Sequence, residues 1–170
     1  LLGRVKQSLT PRILKIGAAL TVGFLVCFAL AIFMLGEDAP TNGEKLREAL
    51  VMLKEGSDIG AMRLAQELQQ QGYQDPDFPG GDQFILGIVA FRQAEKLTED
   101  GGREQKFIVA KSFLEEAQSR ALTEEYEPQW AYALGISLYR IGRAKAAQPL
   151  LEKAVEGYEP GKIESSLLLT

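Results

Sequence analysis

Residues 128–160 read PQWAYALGISLYRIGRAKAAQPLLEKAVEGYEP, and this stretch decides the fold. Apolar residues recur at the helical period on both sides of Gly142, which predicts two amphipathic helices joined by a tight turn. Gly135 and Ala147 are small where the two helices would cross closely, and Leu151 is large enough to fill the gap beside them. A single hairpin cannot bury its own apolar face, so the stretch predicts that further helices stack on it.

The landmarks of this hairpin recur earlier in the chain, where the pattern stays helical from residue 44 onward. Steps of five, four and three residues separate the members of two sets: Gly56, Ala61, Ala65 and Leu68, and Gly142, Ala147, Leu151 and Ala154. A middle segment matches the last one at Leu86-Gly87, Ala110, Leu114 and Ala117. This middle segment is longer by eleven residues, around 96–105, and we expect a turn there at Asp100-Gly101-Gly102. Three hairpins with one set of landmarks indicate an internal repeat.

These landmarks resemble the tetratricopeptide repeat (TPR) family over residues 42–161. The last unit carries the Leu-Gly pair, the turn glycine, the small and bulky positions of the second helix, and a closing Pro160. The first unit departs from the family pattern, because Glu48-Ala49 stands where Leu-Gly is expected. The resemblance implies an all-α fold: a right-handed α-solenoid of about three TPR-like helical hairpins, with units at about 42–75, 80–121 and 128–161. It also implies a concave groove that binds proteins and has no chemistry of its own.

Residues 16–35 form an uncharged, almost wholly apolar run of twenty. At ~1.5 Å per residue a helix of this length spans about 30 Å, the thickness of a bilayer's hydrocarbon core. A buried core helix would carry a polar face, and a cleaved signal peptide would have a shorter apolar region. The run continues past Ala29-Leu-Ala31, a small-x-small site, and Val26 before Cys27 is a poor lipoprotein signal. The sequence therefore favours a transmembrane helix.

The charges around this run predict its orientation. Segment 1–15 holds four basic residues and no acidic one, whereas acidic residues follow from Glu37 onward. Positive flanks stay in the cytoplasm, so segment 1–15 is expected there and the rest of the chain on the exoplasmic side, in a bacterium the periplasm. A linker is predicted at 36–43, the TPR-like domain at 44–161, and the start of a further helix at 162–170. The opposite topology, with cytosolic repeats, is the alternative.

Composition narrows the possible functions. The chain has no His and a single cysteine, so it offers no imidazole catalyst, no His-ligated metal and no internal disulfide. Outside segment 1–15 the remaining 15 basic and 23 acidic residues give a net charge of −8, which argues against nucleic-acid binding. Asp75, Asp77 and Asp82 begin like a calcium loop, but Pro76, Pro79 and the lack of a matching Glu argue against one, and we interpret these aspartates as part of a solvated connection. We expect no enzyme activity, no cofactor and no metal.

The groove implied by the TPR resemblance would be lined by the first helix of each unit. Side chains at i, i+4, i+7 and i+8 share one helix face. The predicted groove residues are Phe84, Ile88, Phe91, Arg92, Tyr132, Ile136, Tyr139, Arg140 and Arg143. They would hold a peptide or helix of a protein partner. Two alternatives stay open: that these side chains contact neighbouring repeats or another part of the same protein, and that the repeats are a spacer or regulatory module of a longer enzyme or sensor.

Overall fold

The structure, a computed structural model, describes residues 40–157, and every regular element in this range is helical. The elements in order are α1 (Asn42–Lys54), α2 (Asp58–Gln70), α3 (Gly81–Lys96), α4 (Asp100–Arg120), a 3-10 turn (Glu124–Tyr126), α5 (Glu127–Arg140) and α6 (Ala144–Glu156). The all-α fold class is thereby confirmed for the described range. The predicted membrane span at 16–35 and the predicted helix at 162–170 lie outside it. None of the helices between residues 40 and 157 is both long and apolar enough to cross a bilayer.

The six helices pack as three successive pairs. Each pair consists of sequence neighbours: α1 with α2, α3 with α4, and α5 with α6. The pairs are joined in order, because α2 also packs against α3 and α4 against α5. Helix α3 additionally touches α1 and α5, which makes it the central helix. Every residue from Gly81 to Arg92 is consequently buried.

Glycines end the first helices of the outer pairs. Gly56 follows α1 with φ +80° and Gly142 follows α5 with φ +79°, a left-handed conformation that glycine adopts at no steric cost. The middle pair connects differently. Leu97 and Glu99 are extended, and α4 begins at Asp100. The expected turn at Asp100-Gly101-Gly102 is therefore wrong: these residues form the first turn of α4, and the reversal is made by the three residues before them.

Close crossings within the pairs follow the repeated small residues. A Cβ added to Gly87 would lie 2.7 Å from Leu114 Cδ2, and one added to Gly135 would lie 2.8 Å from Leu151 Cδ2. Real Cβ atoms are essentially never that close to another carbon, so glycine is what lets each second helix approach. Ala147 is buried at the last of these crossings. The crossing inferred from the sequence at Gly135 is thus present in the structure.

The described range begins with a capped helix. Thr41 Oγ1 accepts a hydrogen bond from the backbone N–H of Glu44 at 3.3 Å, and Thr41 N–H donates to Glu44 Oε2 at 2.7 Å. This reciprocal pair is a capping box, which satisfies two of the donors that a helix start leaves free. Helix α1 starts at Asn42, so the last two residues of the predicted linker 36–43 are helical.

Candidate functional site

The predicted groove residues of the middle pair lie in the core. Phe84 packs against Phe78 and Tyr126, with ring centroids 5.8 Å and 5.2 Å apart. Phe91 packs against Phe107 at 6.1 Å and edge-on against Tyr132 at 6.0 Å. Their neighbour on the same helix face, Ile88, is buried as well. These three side chains are buried within the fold and are not presented at the surface.

Arg92 is also occupied within the fold. Its side chain is only 7% exposed, and Nη1 donates to the carbonyl of Leu53 at 2.9 Å and to Asp58 Oδ1 at 2.7 Å. Lys96 Nζ approaches the second oxygen of Asp58 at 3.4 Å. Because the guanidinium ties α3 to the turn between α1 and α2, Arg92 does not form part of an open rim.

The predicted groove residues of the last pair are more accessible. Tyr132 and Ile136 are half-buried, whereas Tyr139 is 58% exposed. Arg140 and Arg143 are exposed, and neither makes a salt bridge to a residue in the described range. Burial, followed by the nearby Glu95 carboxylate, raises the pKa of Tyr132, so this phenol stays protonated at neutral pH. The exposed part of the predicted site is therefore one aromatic ring and two arginines that form no salt bridge within residues 40–157.

An open groove of about 600 Å³ starts at Tyr139 and runs along α6. Its lining residues are Tyr139, Ala144, Ala147, Gln148, Leu151, Glu152, Val155 and Glu156. Val155 is 75% exposed, and Leu151 is half-buried. The floor is apolar, and the two carboxylates stand towards the carboxyl end of α6. The site residues predicted from the sequence include Tyr139 but no residue of α6.

A smaller depression of about 260 Å³ lies where Arg140 meets the start of α4. Its other lining residues are Asp100, Arg103, Glu104 and Phe107. The Arg103 guanidinium lies over the Phe107 ring with its carbon 5.9 Å from the centroid, a cation–π arrangement. Two carboxylates and two guanidinium groups share this small space, so the depression has no dominant charge.

Trp130, which is not among the residues predicted from the sequence to form a site, fixes the position of the last pair. It is buried, and its Nε1 donates a 2.8 Å hydrogen bond to the carbonyl of Leu114 on α4. A buried indole N–H needs such an acceptor, because an unsatisfied donor costs free energy. The signal available in the sequence was a lone tryptophan in the first turn of a predicted helix. The anchor sets where α5, and with it Tyr139 and Arg140, stands relative to α4.

The aspartates between α2 and α3 stabilise the connection. Asp75 Oδ1 accepts the backbone N–H groups of Asp77 at 2.9 Å and Phe78 at 3.1 Å, and Oδ2 accepts the Tyr73 hydroxyl at 3.0 Å. Asp82 is instead buried on α3, 3.5 Å from Arg120. Within residues 40–157 no group of three or more His, Cys, Asp or Glu residues could hold a metal ion. The first two aspartates thus belong to a turn, and the third belongs to the helix core.

Comparison with known proteins identifies no relative: no family model, no curated protein and no solved structure matches the chain. The TPR resemblance accordingly remains a prediction from the residues that carry it.

Proposed function

We propose that this chain is a membrane-tethered scaffold of the TPR type, which binds a peptide or helix of a protein partner on the exoplasmic, in bacteria periplasmic, side. The observation that carries the proposal is the accessible end of the last helical pair. There an apolar groove opens beside Tyr139, next to Arg140 and Arg143. The proposed solenoid arrangement is supported by the order in which the pairs pack and by their shared glycine and alanine landmarks.

The apolar part of this surface is suited to hold an anchor side chain. Tyr139 and Val155 are large apolar side chains that remain mostly exposed, and both line the same groove. Contiguous exposed apolar surface on a protein commonly marks an interaction site. Aromatic side chains such as tyrosine also contribute a large share of binding energy at interfaces. A partner segment with one or two apolar side chains at helical spacing would fit.

The charged part suits an acidic partner. Arg140 and Arg143 are three residues apart, one at the end of α5 and one just before α6. A guanidinium group binds a carboxylate through two parallel hydrogen bonds, which gives direction as well as attraction. Neither arginine forms a salt bridge within the described range, so both are available for this role. The proposed partner segment therefore carries a carboxylate next to its apolar anchor.

The tether determines where this binding takes place. The apolar run at 16–35 and the basic segment 1–15 support a single membrane span with the repeats on the exoplasmic side. A scaffold held at a membrane meets membrane partners at a raised effective concentration, so modest affinity is sufficient. This fits a component of an envelope-assembly or secretion complex, whose parts must be brought together at one membrane.

The experiment is affinity capture of the full-length protein after cross-linking in intact membranes. Combining Arg140→Glu with Arg143→Glu should lower partner recovery about tenfold or more, because two attractive charges become repulsive towards a partner carboxylate and about 1.4 kcal/mol corresponds to a tenfold change in affinity. The matched control combines Arg47→Glu with Arg63→Glu, which makes the same charge change at exposed positions of α1 and α2. The helical circular dichroism signal should be the same in the wild type and in both double variants. Equal recovery with the two double variants would refute the assignment of the surface.

A further inference from the structure

The end of α4 differs from the ends of α1, α2 and α5. Those three helices are followed by Gly56, Gly72 and Gly142, each with a positive φ that favours glycine. Ala121 follows α4, and within residues 40–157 it is the only other residue with a positive φ, at φ 92° and ψ 128°. This conformation lies outside the left-handed helical region and close to a region that is essentially confined to glycine. The backbone at Ala121 is therefore strained.

A backbone contact with the connection between α2 and α3 holds Ala121 in this conformation. Gly80 donates its N–H to the carbonyl of Ala121 at 3.1 Å. A Cβ added to Gly80 would lie 2.3 Å from the carbonyl oxygen of Ala117 and 2.9 Å from that of Ala121, so this approach requires glycine. The side chain of Ala121 is exposed, and its packing does not offset the strain. The strained conformation is thus imposed by the contact between the two connections.

The connection between α4 and α5, residues 121–126, has little else to hold it in place. Tyr126 stacks on Phe78 with the ring centroids 5.1 Å apart, and Thr123 Oγ1 donates a long 3.4 Å hydrogen bond to the carbonyl of Asp77. Three residues of this connection are exposed, three are half-buried, and none is buried. A segment with few buried contacts opens at a lower free energy than the core does.

The helices on either side of this connection are fixed independently of it. Arg120, the last residue of α4, lies 3.5 Å from the buried carboxylate of Asp82 on α3. At the other side the indole N–H of Trp130 on α5 donates to the carbonyl of Leu114 on α4. Both links remain when residues 121–126 move, so α4 and α5 can stay packed while the connection between them opens.

We infer that the connection at 121–126 opens locally while the helices stay folded, and that the strain at Ala121 favours this opening. Breaking the hydrogen bond from Gly80 lets Ala121 return to an ordinary φ. It also withdraws Tyr126 from the rings of Phe78 and Phe84, so the open state presents an aromatic surface that the closed state covers. The inference is independent of the proposed function, because none of these residues lines the α6 groove.

Amide hydrogen exchange of the full-length protein in detergent micelles, followed by NMR, tests for the opening. The Gly80 amide, which donates to Ala121, should have a protection factor at least about tenfold lower than that of buried Leu134 in α5, because it exchanges by local opening. Low urea should change the Gly80 value little, since local opening exposes little surface. Equal protection factors with the same urea dependence would overturn the inference, because Gly80 would then exchange only through global unfolding.

Ala121→Gly tests whether strain favours the opening. Glycine adopts this φ without steric cost and loses only part of that gain through its greater freedom in the open state, so the Gly80 protection factor should rise about threefold or more. The matched control is Ala146→Gly, at an exposed position of α6, which should leave the Gly80 value unchanged. An unchanged or lower protection factor in Ala121→Gly, or an equal rise in Ala146→Gly, would overturn the role assigned to the strain.

Discussion

Arg92 and Arg140 hold equivalent places in the repeat, but their neighbours give them different roles. Arg92 lies opposite Asp58 and becomes a buried link between α3 and the preceding turn. Arg140 has Arg103 as well as two carboxylates nearby and stays exposed. Helical spacing predicts that Phe84, Ile88, Phe91 and Arg92 share a face. It could not show that this face is covered, because burial depends on helices that are distant in sequence.

The Arg92–Asp58 pair yields a prediction about stability. Asp58→Ala removes the carboxylate and leaves the guanidinium buried without its ionic partner, a change that costs about 3–5 kcal/mol for buried pairs. Arg140→Ala, the matched control on the exposed equivalent, should change the free energy of unfolding by no more than about 0.5 kcal/mol. Denaturant unfolding of the two full-length variants measures both values. If the two variants lose similar amounts of unfolding free energy, the Arg92–Asp58 pair does not stabilise the fold in the way proposed.

At the scale of single helices, local chemistry was the most predictable part of the structure. Thr41 caps the first helix together with Glu44, and threonine is among the residues preferred at that position. The turn glycines Gly56 and Gly142 also end their helices as the spacing indicated. The start of α4 was not predictable in the same way. Glycine is compatible with a turn and with the first turn of a helix, so Gly101-Gly102 does not specify either conformation.

The capping box gives a prediction about pH. Hydrogen bonds from the Thr41 backbone N–H and then from its hydroxyl hold the pKa of Glu44 below its ordinary value. A carboxyl whose pKa is lower when folded stabilises the protein above its unfolded pKa of about 4.3, and this contribution is lost as the pH falls through the folded pKa. Glu44→Gln keeps the hydrogen-bonding shape but removes the charge. Its melting temperature should be below that of the wild type near neutral pH and converge with it in acid.

The control for that comparison is Glu48→Gln, on the same helix. It removes one exposed carboxylate without touching the cap. Thermal unfolding followed by circular dichroism between about pH 7 and pH 3 spans the titration range of an ordinary carboxyl. If the melting temperature of Glu44→Gln stays equally far below that of the wild type at about pH 3, the Glu44 charge does not have the proposed role.

At the scale of the whole molecule, the repeat in the sequence predicted the three helical pairs found within residues 40–157, but not which of their faces are buried. Three sets of landmarks led to three helical pairs, and Gly87 and Gly135 lie at the close crossings. The central position of α3 emerges only when both flanking pairs are in place. For this reason the candidate site shifted from a groove shared by α3 and α5 to the accessible end formed by α5 and α6.

The central claim is that the three pairs share one continuous core, on which the proposed binding surface depends. The chain's single tryptophan, Trp130, reports on the contact between the second and third pairs. Urea unfolding of the full-length protein in mild detergent, followed at once by tryptophan fluorescence and by helical circular dichroism, tests the claim most directly. A continuous core predicts that the fluorescence transition coincides with the main circular dichroism transition. A tryptophan transition at clearly lower urea, with most of the helical signal retained, would show that the last pair folds separately and would contradict the claim.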